Sequence, residues 1–396
     1  MDFQQGAPIG FLFIEKAFVV TLGNVDQVMR LFPLFTGIAS LYILYRIAKV
    51  HITGGWLAGL LFAASWYPIH YSSELKQYSS DVMMALLLIF LATRCLRESA
   101  SFRDFLILGA GGAMAIWISH PSAFVLAGIG LALLAAPLTR QRHIPFAWLA
   151  GLGFLWMASF GIQYQVSLKH LIANDFLQGY WRKNFMPLPP WSDVGWLLKT
   201  YHSMLVMTLN TIEPALVYAI PILVMIGGIS LLLRDRILAI IILFPFVLAM
   251  IASALQRYPL KDRFMLFLVP LVLMLIAEGL GSLYRIVARW NTGVAGTMYA
   301  LPSLFLFFLV MSGAFRLFLS PYNQSDIKPV LEYVAEHRRE DEAIYVYHSS
   351  EPAFAYYAPL YGIEGGDIQI GFDTPGRGLP SRGSSKIGRA SCRERV

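Results

Sequence analysis

Long apolar runs, each bounded by polar or charged residues, dominate the pattern along the chain. A transmembrane helix needs about 20 mostly apolar residues, and on this rule the pattern predicts about ten spans. Pro121 separates the two shortest of them, because the residue before a proline disfavours helical dihedral angles. The pattern therefore predicts an all-α polytopic membrane protein. The predicted spans are 30–48, 54–70, 80–96, 105–120, 122–138, 146–166, 212–233, 237–255, 264–283 and 295–318.

Shorter amphipathic segments flank these spans. Residues 8–20 are apolar but too short and too charged to cross a membrane, which predicts a juxtamembrane helix on the outer surface. After the last span, 325–340 has a helical pattern, 343–347 alternates like a strand, and a second helix follows through Tyr361. This order predicts the start of a small C-terminal α/β extracytoplasmic domain. Four segments result: 1–29, 30–319, 320–385 and 386–396.

Basic residues set the predicted orientation, because short cytoplasmic loops are enriched in Lys and Arg. One set of basic residues lies between alternate spans, always on one side, which we predict to be cytoplasmic. The net charge of +7 is therefore a topology signal, and no nucleic-acid partner is expected. The set comprises Arg46, Lys49, Arg94, Arg97, Arg103, Arg140, Arg142, Arg234, Arg236, Arg285 and Arg289.

Composition supports a membrane protein. Hydrophobic residues make up 57% of the chain and charged residues only 14%, whereas about 25% are charged in an ordinary soluble protein. The two cysteines, Cys95 and Cys392, have no metal-type spacing. A disordered chain and a disulfide-stapled secreted domain are both excluded.

The two ends lead to separate expectations. Residue 1 is predicted on the outer side with no preceding span to bring it there, so we expect at least one upstream helix. Residues 386–396 are basic and lack periodicity, which is typical of a translated sequencing adapter. A genuine basic tail is the alternative.

Polar residues cluster between the second and third predicted spans, at the outer boundary. Glu74, Lys76 and Tyr78 alternate, so an extended or turn-like backbone would direct all three the same way. Ionisable groups are costly against lipid, and we expect them to face a cavity or to pair, as in a simple Glu74–Lys76 ion pair. Ser80 and Asp81 are typical N-cap residues for the following helix.

Further cations lie on the outer side, against the positive-inside trend. They occupy the aromatic loop 167–211 and the loop 256–263. Outward basic groups would suit an anionic ligand such as a lipid phosphate, although the aromatic residues of the first loop also fit an ordinary interfacial belt. These cations are Arg182, Lys183, Arg257, Lys261 and Arg263.

Several motifs resemble the GT-C membrane glycosyltransferases, and most closely the bacterial branch grouped with protein O-mannosyltransferases and lipid A aminoarabinose transferases. The family has a proline-led juxtamembrane helix, a Leu-Arg-Leu-Pro-type helix start and a Tyr-Ser-x-Glu-x-Arg-x-Tyr signature. In this chain Lys76 replaces the signature Arg, and His120 matches a histidine at an outer helix end. The matching segments are Gln5–Leu12, Arg30–Pro33, Tyr71–Tyr78 and Arg263–Phe264.

The resemblance implies inverting transfer of a sugar from a polyprenyl-phosphate donor to a glycan, lipid or protein acceptor outside the cytoplasm. It also implies the inner membrane of a bacterium. Residues expected to bind the lipid phosphate are Glu74, Lys76, Tyr78, His120, Arg182, Lys183, Arg257, Lys261 and Arg263. The family's catalytic carboxylate lies in the first outer loop, which is expected upstream of Met1. No metal ligand is assigned, and the cofactor stays open, with a divalent metal possible.

Other functions stay open on the residues alone. A transporter or lipid flippase should show internal repeats and charges near the bilayer midplane, whereas here no repeat is found and the charges cluster at one surface. A polymerase or ligase of lipid-linked glycans would share the loop-rich outer face but not the proline-led and Glu-x-Lys-x-Tyr motifs. A structural scaffold would leave the outward charges without a role.

Overall fold

The structure of the chain is a computed structural model. It describes residues 6–139, 144–210, 214–320, 326–339, 342–363 and 368–371. The chain divides into two compact units, Met1–Phe318 and Leu319–Val396. Arg140, Arg142, Cys392 and the segment 386–396, which the sequence interpretation used, lie outside the described residues.

The first unit is built from helices joined by short turns. A π-helical stretch, Tyr164–Leu168, joins α9 to α10, and 3-10 turns cover Arg182–Asn184, Pro190–Ser192 and Asp262–Leu268. The helices are α1 (Ile9–Leu22), α2 (Asp26–Met29), α3 (Leu31–His51), α4 (Trp56–Ala64), α5 (Trp66–Ser72), α6 (Tyr78–Cys95), α7 (Phe102–Ile118), α8 (Ser122–Ala135), α9 (Phe146–Gln163), α10 (Lys169–Ile172), α11 (Asp175–Trp181), α12 (Val194–Leu209), α13 (Pro214–Arg234), α14 (Arg236–Ala254), α15 (Val269–Ala288) and α16 (Thr292–Leu319).

Within the described residues, seven helices are long and apolar enough to cross a membrane, and each overlaps a predicted span. The other three predicted spans form shorter helices. The span at 54–70 divides into α4 and α5, because Ser65 leaves the helical conformation and its backbone N–H bonds only to Phe62. The spans at 105–120 and 122–138 form α7 and α8, with the expected turn at Pro121 between them. The polytopic helical fold is therefore confirmed.

Two helices form the centre of the bundle. The apolar window of α6 is 78% buried, and that of Asp262–Ala288 is 94% buried. Helices on the outside, such as α16, bury only 22% of the corresponding window. A helix that is apolar all round but buried on one side exposes the remainder to lipid. The centre of the bundle is therefore the place where polar side chains can avoid hydrocarbon.

Two segments that were predicted on the outer side differ in how well the pattern predicted their structure. Helix α1 begins directly after Pro8, as expected, and buries Phe11 and Glu15. The region 167–211, predicted as a long loop, is largely helical, and α12 buries Trp196, Leu205 and neighbouring residues. Its side-chain cap is Asp193, whose Oδ1 accepts a hydrogen bond from the Trp196 backbone N–H at 2.9 Å.

A buried carboxylate ties several helices together on the predicted cytoplasmic side. Glu278 of α15 is fully buried, and its two oxygens lie 3.0 Å from Arg234 and 3.0 Å from Arg285. The same carboxylate accepts hydrogen bonds from the Thr53 backbone N–H and the Ser230 hydroxyl. Two cations and two further donors compensate the desolvation of one buried charge. Arg234 and Arg285, which the sequence analysis used to predict the orientation, thus also have a structural role.

The second unit has a small α/β arrangement. Helix α17 (Lys328–His337) precedes strand β1 (Ile344–Tyr347), helix α18 (Glu351–Tyr357) follows, and strand β2 (Ile368–Gly371) pairs with β1 in parallel. A parallel pair needs a crossover, and α18 lies within that connection. The core of the second unit is formed by Leu331, Ala358 and Ile363. The predicted start of an α/β domain is confirmed as this two-stranded unit.

Candidate functional site

A cation enclosed by aromatic rings lies where the chain enters α15. Arg263 is the second residue of the 3-10 turn Asp262–Leu268. Its guanidinium carbon lies 5.7 Å from the ring centre of Tyr78, 5.8 Å from that of Trp181 and 5.9 Å from that of Phe264. A cation within about 6 Å of an aromatic ring is attracted by the ring's quadrupole. The rings therefore hold a positive charge at a defined position.

The rings also hold one another. Phe264 meets Trp181 edge-on, with ring centres 4.9 Å apart, and meets Tyr78 edge-on at 5.9 Å. Tyr71, at the end of α5, stacks edge-on against Tyr78 at 5.1 Å. Burial raises the pKa of Tyr71, while the positive charge of Arg263 opposes that rise. We call Arg263 and these four aromatic residues the Arg263 cluster.

Glu74 and Lys76 lie in the bend between α5 and α6, close to the Arg263 cluster. The Lys76 backbone N–H donates to the Glu74 carbonyl oxygen at 2.7 Å, which makes the turn-like backbone that the alternation predicted. Burial lowers the pKa of Lys76, the positive charge of Arg263 lowers it further, and Glu74 acts in the opposite direction. No Glu74–Lys76 salt bridge forms within the described part of the chain, although that pair was the simple alternative.

The other predicted cations are near members of the cluster in sequence. Arg182 and Lys183 are exposed and line a cavity of about 340 Å³ beside the N-terminus of α12. Arg257 is exposed in the turn after α14, and Lys261 is half-buried directly before the turn that carries Arg263. No hydrogen bond or salt bridge by the Arg257 or Lys261 side chain is found among the described residues. The cavity is also lined by Phe185, Met186, Pro187, Leu188, Asp193, Trp196, Ala254 and Gln256.

His120 lies apart from the Arg263 cluster, in the turn between α7 and α8. Its Nδ1 is 3.4 Å from Nε2 of Gln163, the last residue of α9. The backbone of Gly6 lies beside the imidazole, so this turn contacts the segment before α1. The structure thus brings Lys76, Tyr78 and Arg263 together and locates His120 in a second polar group.

Sequence reasoning missed several residues here. Trp181 was included in an interfacial belt, and nothing in its local pattern connects it to Arg263. Asp81 was interpreted as an N-cap, but α6 begins at Tyr78 after Gln77, and the Asp81 carboxyl is buried in the first turn. The neighbours of both residues come from distant segments, which a local pattern does not reveal. Among the described residues, no group of three or more His, Cys, Asp or Glu side chains could hold a metal ion.

The fold is that of a polytopic helical membrane protein, and the Arg263 cluster holds a cation among aromatic rings before α15. A family model described as dolichyl-phosphate-mannose-protein mannosyltransferase matches residues 6–162. The fold is similar to that of the Archaeoglobus fulgidus oligosaccharyltransferase tethered with an acceptor peptide containing the NVT sequon. That structure has a TM-score of 0.50 and 12% identity, covering 92% of this chain and 55% of that one.

A second structure, the oligosaccharyltransferase AglB of the same organism in complex with an inhibitory peptide and a dolichol-phosphate, has a TM-score of 0.49 and 13% identity. The match covers 89% of this chain and 51% of that one. This chain therefore spans about half the length of each of these structures. No curated protein matches the chain. The family match covers residues 6–162, less than half of the chain, and the fold is similar to that of the oligosaccharyltransferase. Both findings agree with the resemblance to GT-C enzymes that the sequence motifs show.

Proposed function

We propose that this chain is part of a GT-C glycosyltransferase that transfers a sugar from a polyprenyl-phosphate-linked donor to an acceptor at the extracytoplasmic face. The observation that carries the proposal is the Arg263 cluster, in which an arginine is held by aromatic faces close to half-buried Lys76. The family match over residues 6–162, which includes Glu74, Lys76 and Tyr78, supports the same activity.

The chemistry of the transfer explains why cations are needed. When the sugar leaves, negative charge develops on the lipid phosphate, and fixed cations lower the energy of that transition state. Arg263 can present its planar fork to two phosphate oxygens, whereas Lys76 supplies a point charge. Glu74 favours the charged form of Lys76. In this proposal Arg182, Lys183, Arg257 and Lys261 add a positive field around the site that attracts the anionic lipid.

An inverting transfer also needs a carboxylate that deprotonates or orients the acceptor hydroxyl. We assign that role to no residue of this chain. The acceptor is a glycan, a lipid or a protein.

The proposed setting is the inner membrane of a bacterium, with the Arg263 cluster facing the periplasm. Its support is the distribution of charge. Arg94, Arg234 and Arg285 lie in the last turns of α6, α13 and α15, on the side where positive residues concentrate. Arg263 lies before the first residue of α15 and therefore at the other end of that helix. We therefore expect transfer of the donor's sugar only to an acceptor on the periplasmic side.

The test is transfer by the full-length protein in proteoliposomes, using undecaprenyl phosphate that carries a radiolabelled sugar. We expect the double variant Arg263→Ala, Lys76→Ala to lose at least about 100-fold in rate, the scale found when transition-state charge stabilisation is removed. Lys199→Ala, which removes an exposed lysine of α12, should keep the wild-type rate. Full activity in the double variant would overturn the site. Movement of the lipid without a glycosylated product would show a flippase instead.

A further inference from the structure

A second polar group lies deeper in the bundle than the Arg263 cluster and is not used by the proposed phosphate chemistry. It is formed by the first turn of α6, the turn between α7 and α8, and the end of α9. Asp81 is 6% exposed, Ser119 is fully buried and Gln163 is 1% exposed. We call Asp81, Ser119, His120 and Gln163 the Asp81 group.

Polar atoms of this group are buried without well-formed hydrogen bonds. Asp81 Oδ1, Ser119 Oγ, His120 Nε2 and Gln163 Oε1 have no partner of good hydrogen-bond geometry among the described residues, although Ser119 lies within reach of the Asp81 carboxyl and the Gly6 backbone within reach of the His120 ring. More than nine in ten buried polar groups in proteins are hydrogen-bonded, because an unpaired one costs about 1–3 kcal/mol. Four such atoms on three neighbouring helix ends indicate a place that binds a polar ligand.

The members of the group are neighbours in space. Ser119 lies beside the Asp81 carboxyl, and His120, the next residue, lies 3.4 Å from Gln163 through Nδ1 and Nε2. The backbone of Gly6 covers the His120 ring. The backbone at Gly6 therefore covers the group on one side.

The Asp81 group lies directly below the cation site. Tyr78 and Asp81 are three residues apart on α6, so they share one face and are separated by about 4.5 Å along the helix axis. Tyr258 joins the two levels, because it lies close to both Asp81 and Tyr78 and packs edge-on against Phe264 at 5.9 Å. This separation along the helix axis is comparable to the width of a pyranose ring.

We propose that the Asp81 group binds the hydroxyl groups of the glycosyl moiety while its phosphate rests at the Arg263 cluster, an inference that rests on the proposed function. A carboxylate accepts only, whereas a serine hydroxyl, an amide and an imidazole can donate and accept. This mixture matches the hydroxyl groups of a sugar, each of which can do both. The Asp81 group is thus the part of the site that recognises the sugar.

The test separates the sugar from the phosphate. Full-length protein is titrated with undecaprenyl phosphate alone and with undecaprenyl phosphate carrying mannose, glucose, galactose, N-acetylglucosamine or 4-amino-4-deoxyarabinose. Wild type should bind at least one sugar-bearing lipid more tightly than the bare lipid phosphate. Asp81→Asn should reduce affinity for that lipid about tenfold, as expected for one charged hydrogen bond, and leave affinity for undecaprenyl phosphate unchanged. Ser119→Ala, a milder change, should show the same pattern more weakly.

The outcomes distinguish the two proposals. If wild type binds undecaprenyl phosphate but prefers no sugar-bearing lipid, or if both variants keep wild-type affinity for the preferred one, the sugar assignment is wrong and the phosphate site stands. If undecaprenyl phosphate does not bind at all, the proposed function fails. Should Asp81→Asn fail to fold, Ser119→Ala alone decides, because it removes one oxygen and adds no volume.

Discussion

The guanidinium carbon of Arg263 lies 5.8 Å from the ring centre of Trp181, a residue at the end of α11 that is distant in sequence from α15. Phe264 packs edge-on against the same indole, with ring centres 4.9 Å apart. This contact attaches the outer helical segment to the head of the most buried span. It also fixes where the arginine's charge lies relative to Tyr78.

Trp181→Ala should therefore weaken lipid-phosphate binding without removing any charge. A cation–π contact is worth about 0.5–2 kcal/mol, so we expect a loss of roughly twofold to thirtyfold in affinity for undecaprenyl phosphate. Trp181→Phe should restore part of that loss. Trp191→Ala, which removes a tryptophan that is 76% exposed, is the matched control. Equal affinities for Trp181→Ala and wild type would show that the indole does not position Arg263.

Lys76 should make phosphate binding depend on pH, at pH values below those at which a lysine ordinarily loses its proton. Burial, followed by the charge of Arg263, lowers the pKa of Lys76 from its ordinary value of 10.5. Because only the protonated amine attracts a phosphate, affinity should fall as pH rises through this lowered pKa. Lys76→Arg stays protonated at every accessible pH. Titration with undecaprenyl phosphate between pH 7 and 10 should show a decline for wild type and a flat profile for Lys76→Arg; parallel profiles would contradict the assignment.

Glu15 should make the stability of the protein fall between acidic and neutral pH. Burial raises the pKa of Glu15 from 4.5 to about 7, and neither carboxylate oxygen forms a hydrogen bond with a described residue. The folded state therefore holds its proton more tightly than the unfolded state. Stability is fullest below pH 4.5 and declines through pH 7, by at most about 3 kcal/mol.

The measurement is the melting temperature of the detergent-solubilised protein between pH 4.5 and 8. Glu15→Gln should remove this part of the pH dependence and exceed wild type in stability above pH 7. Glu98→Gln, which alters an exposed carboxylate near the end of α6, should follow the wild-type profile. If the difference in melting temperature between Glu15→Gln and wild type is the same at every pH, the Glu15 carboxyl does not titrate in this range.

Most of the helical architecture could be predicted because a membrane span is a local property. Twenty apolar residues identify a span whatever surrounds them, and all seven long helices fall on predicted ones. The break at Ser65 and the helix α12 were missed. In both cases tertiary packing, which buries Trp196 and Leu205 for example, decides the local conformation.

The site could be predicted only where it is local in sequence. Glu74, Lys76 and Tyr78 share one short segment, so their alternation was sufficient to group them. Trp181 and Gln163 reach their partners across the bundle, and their own neighbours in sequence carry no sign of it. Asp81 shows most clearly what a local pattern misses. Aspartate is common at helix starts, so Asp81 was interpreted as an N-cap, but its carboxyl is buried beside Ser119.

Glu278 should be the most costly single charge to remove. Its carboxylate is fully buried between Arg234 and Arg285, at 3.0 Å from each. Glu278→Gln would leave two cations facing an amide, and breaking a buried pair costs about 3–5 kcal/mol. We expect a loss of this size in the free energy of unfolding, measured by titration with a denaturing detergent, and almost none for Glu98→Gln. Equal stabilities of the two variants would mean that water compensates both arginines.

The contact between α13 and α15 depends on two glycines that let the backbones approach. A β-carbon at Gly279 would collide with the Leu223 carbonyl oxygen, and one at Gly227 would collide with that of Leu275. Small residues allow such close packing of membrane helices. Gly279→Ala should therefore destabilise the protein by about 1–3 kcal/mol, the usual cost of overpacking.

Gly296 on α16 is the matched control, because a β-carbon there would meet nothing within 4 Å. In a helix interior alanine is favoured over glycine by up to about 1 kcal/mol, so Gly296→Ala should raise the melting temperature. Gly279→Ala should lower it. The opposite signs distinguish close packing from helix propensity, since propensity alone would stabilise both variants. Because α15 carries Arg263 at its head, Gly279→Ala should also weaken undecaprenyl phosphate binding, whereas Gly296→Ala should leave it unchanged.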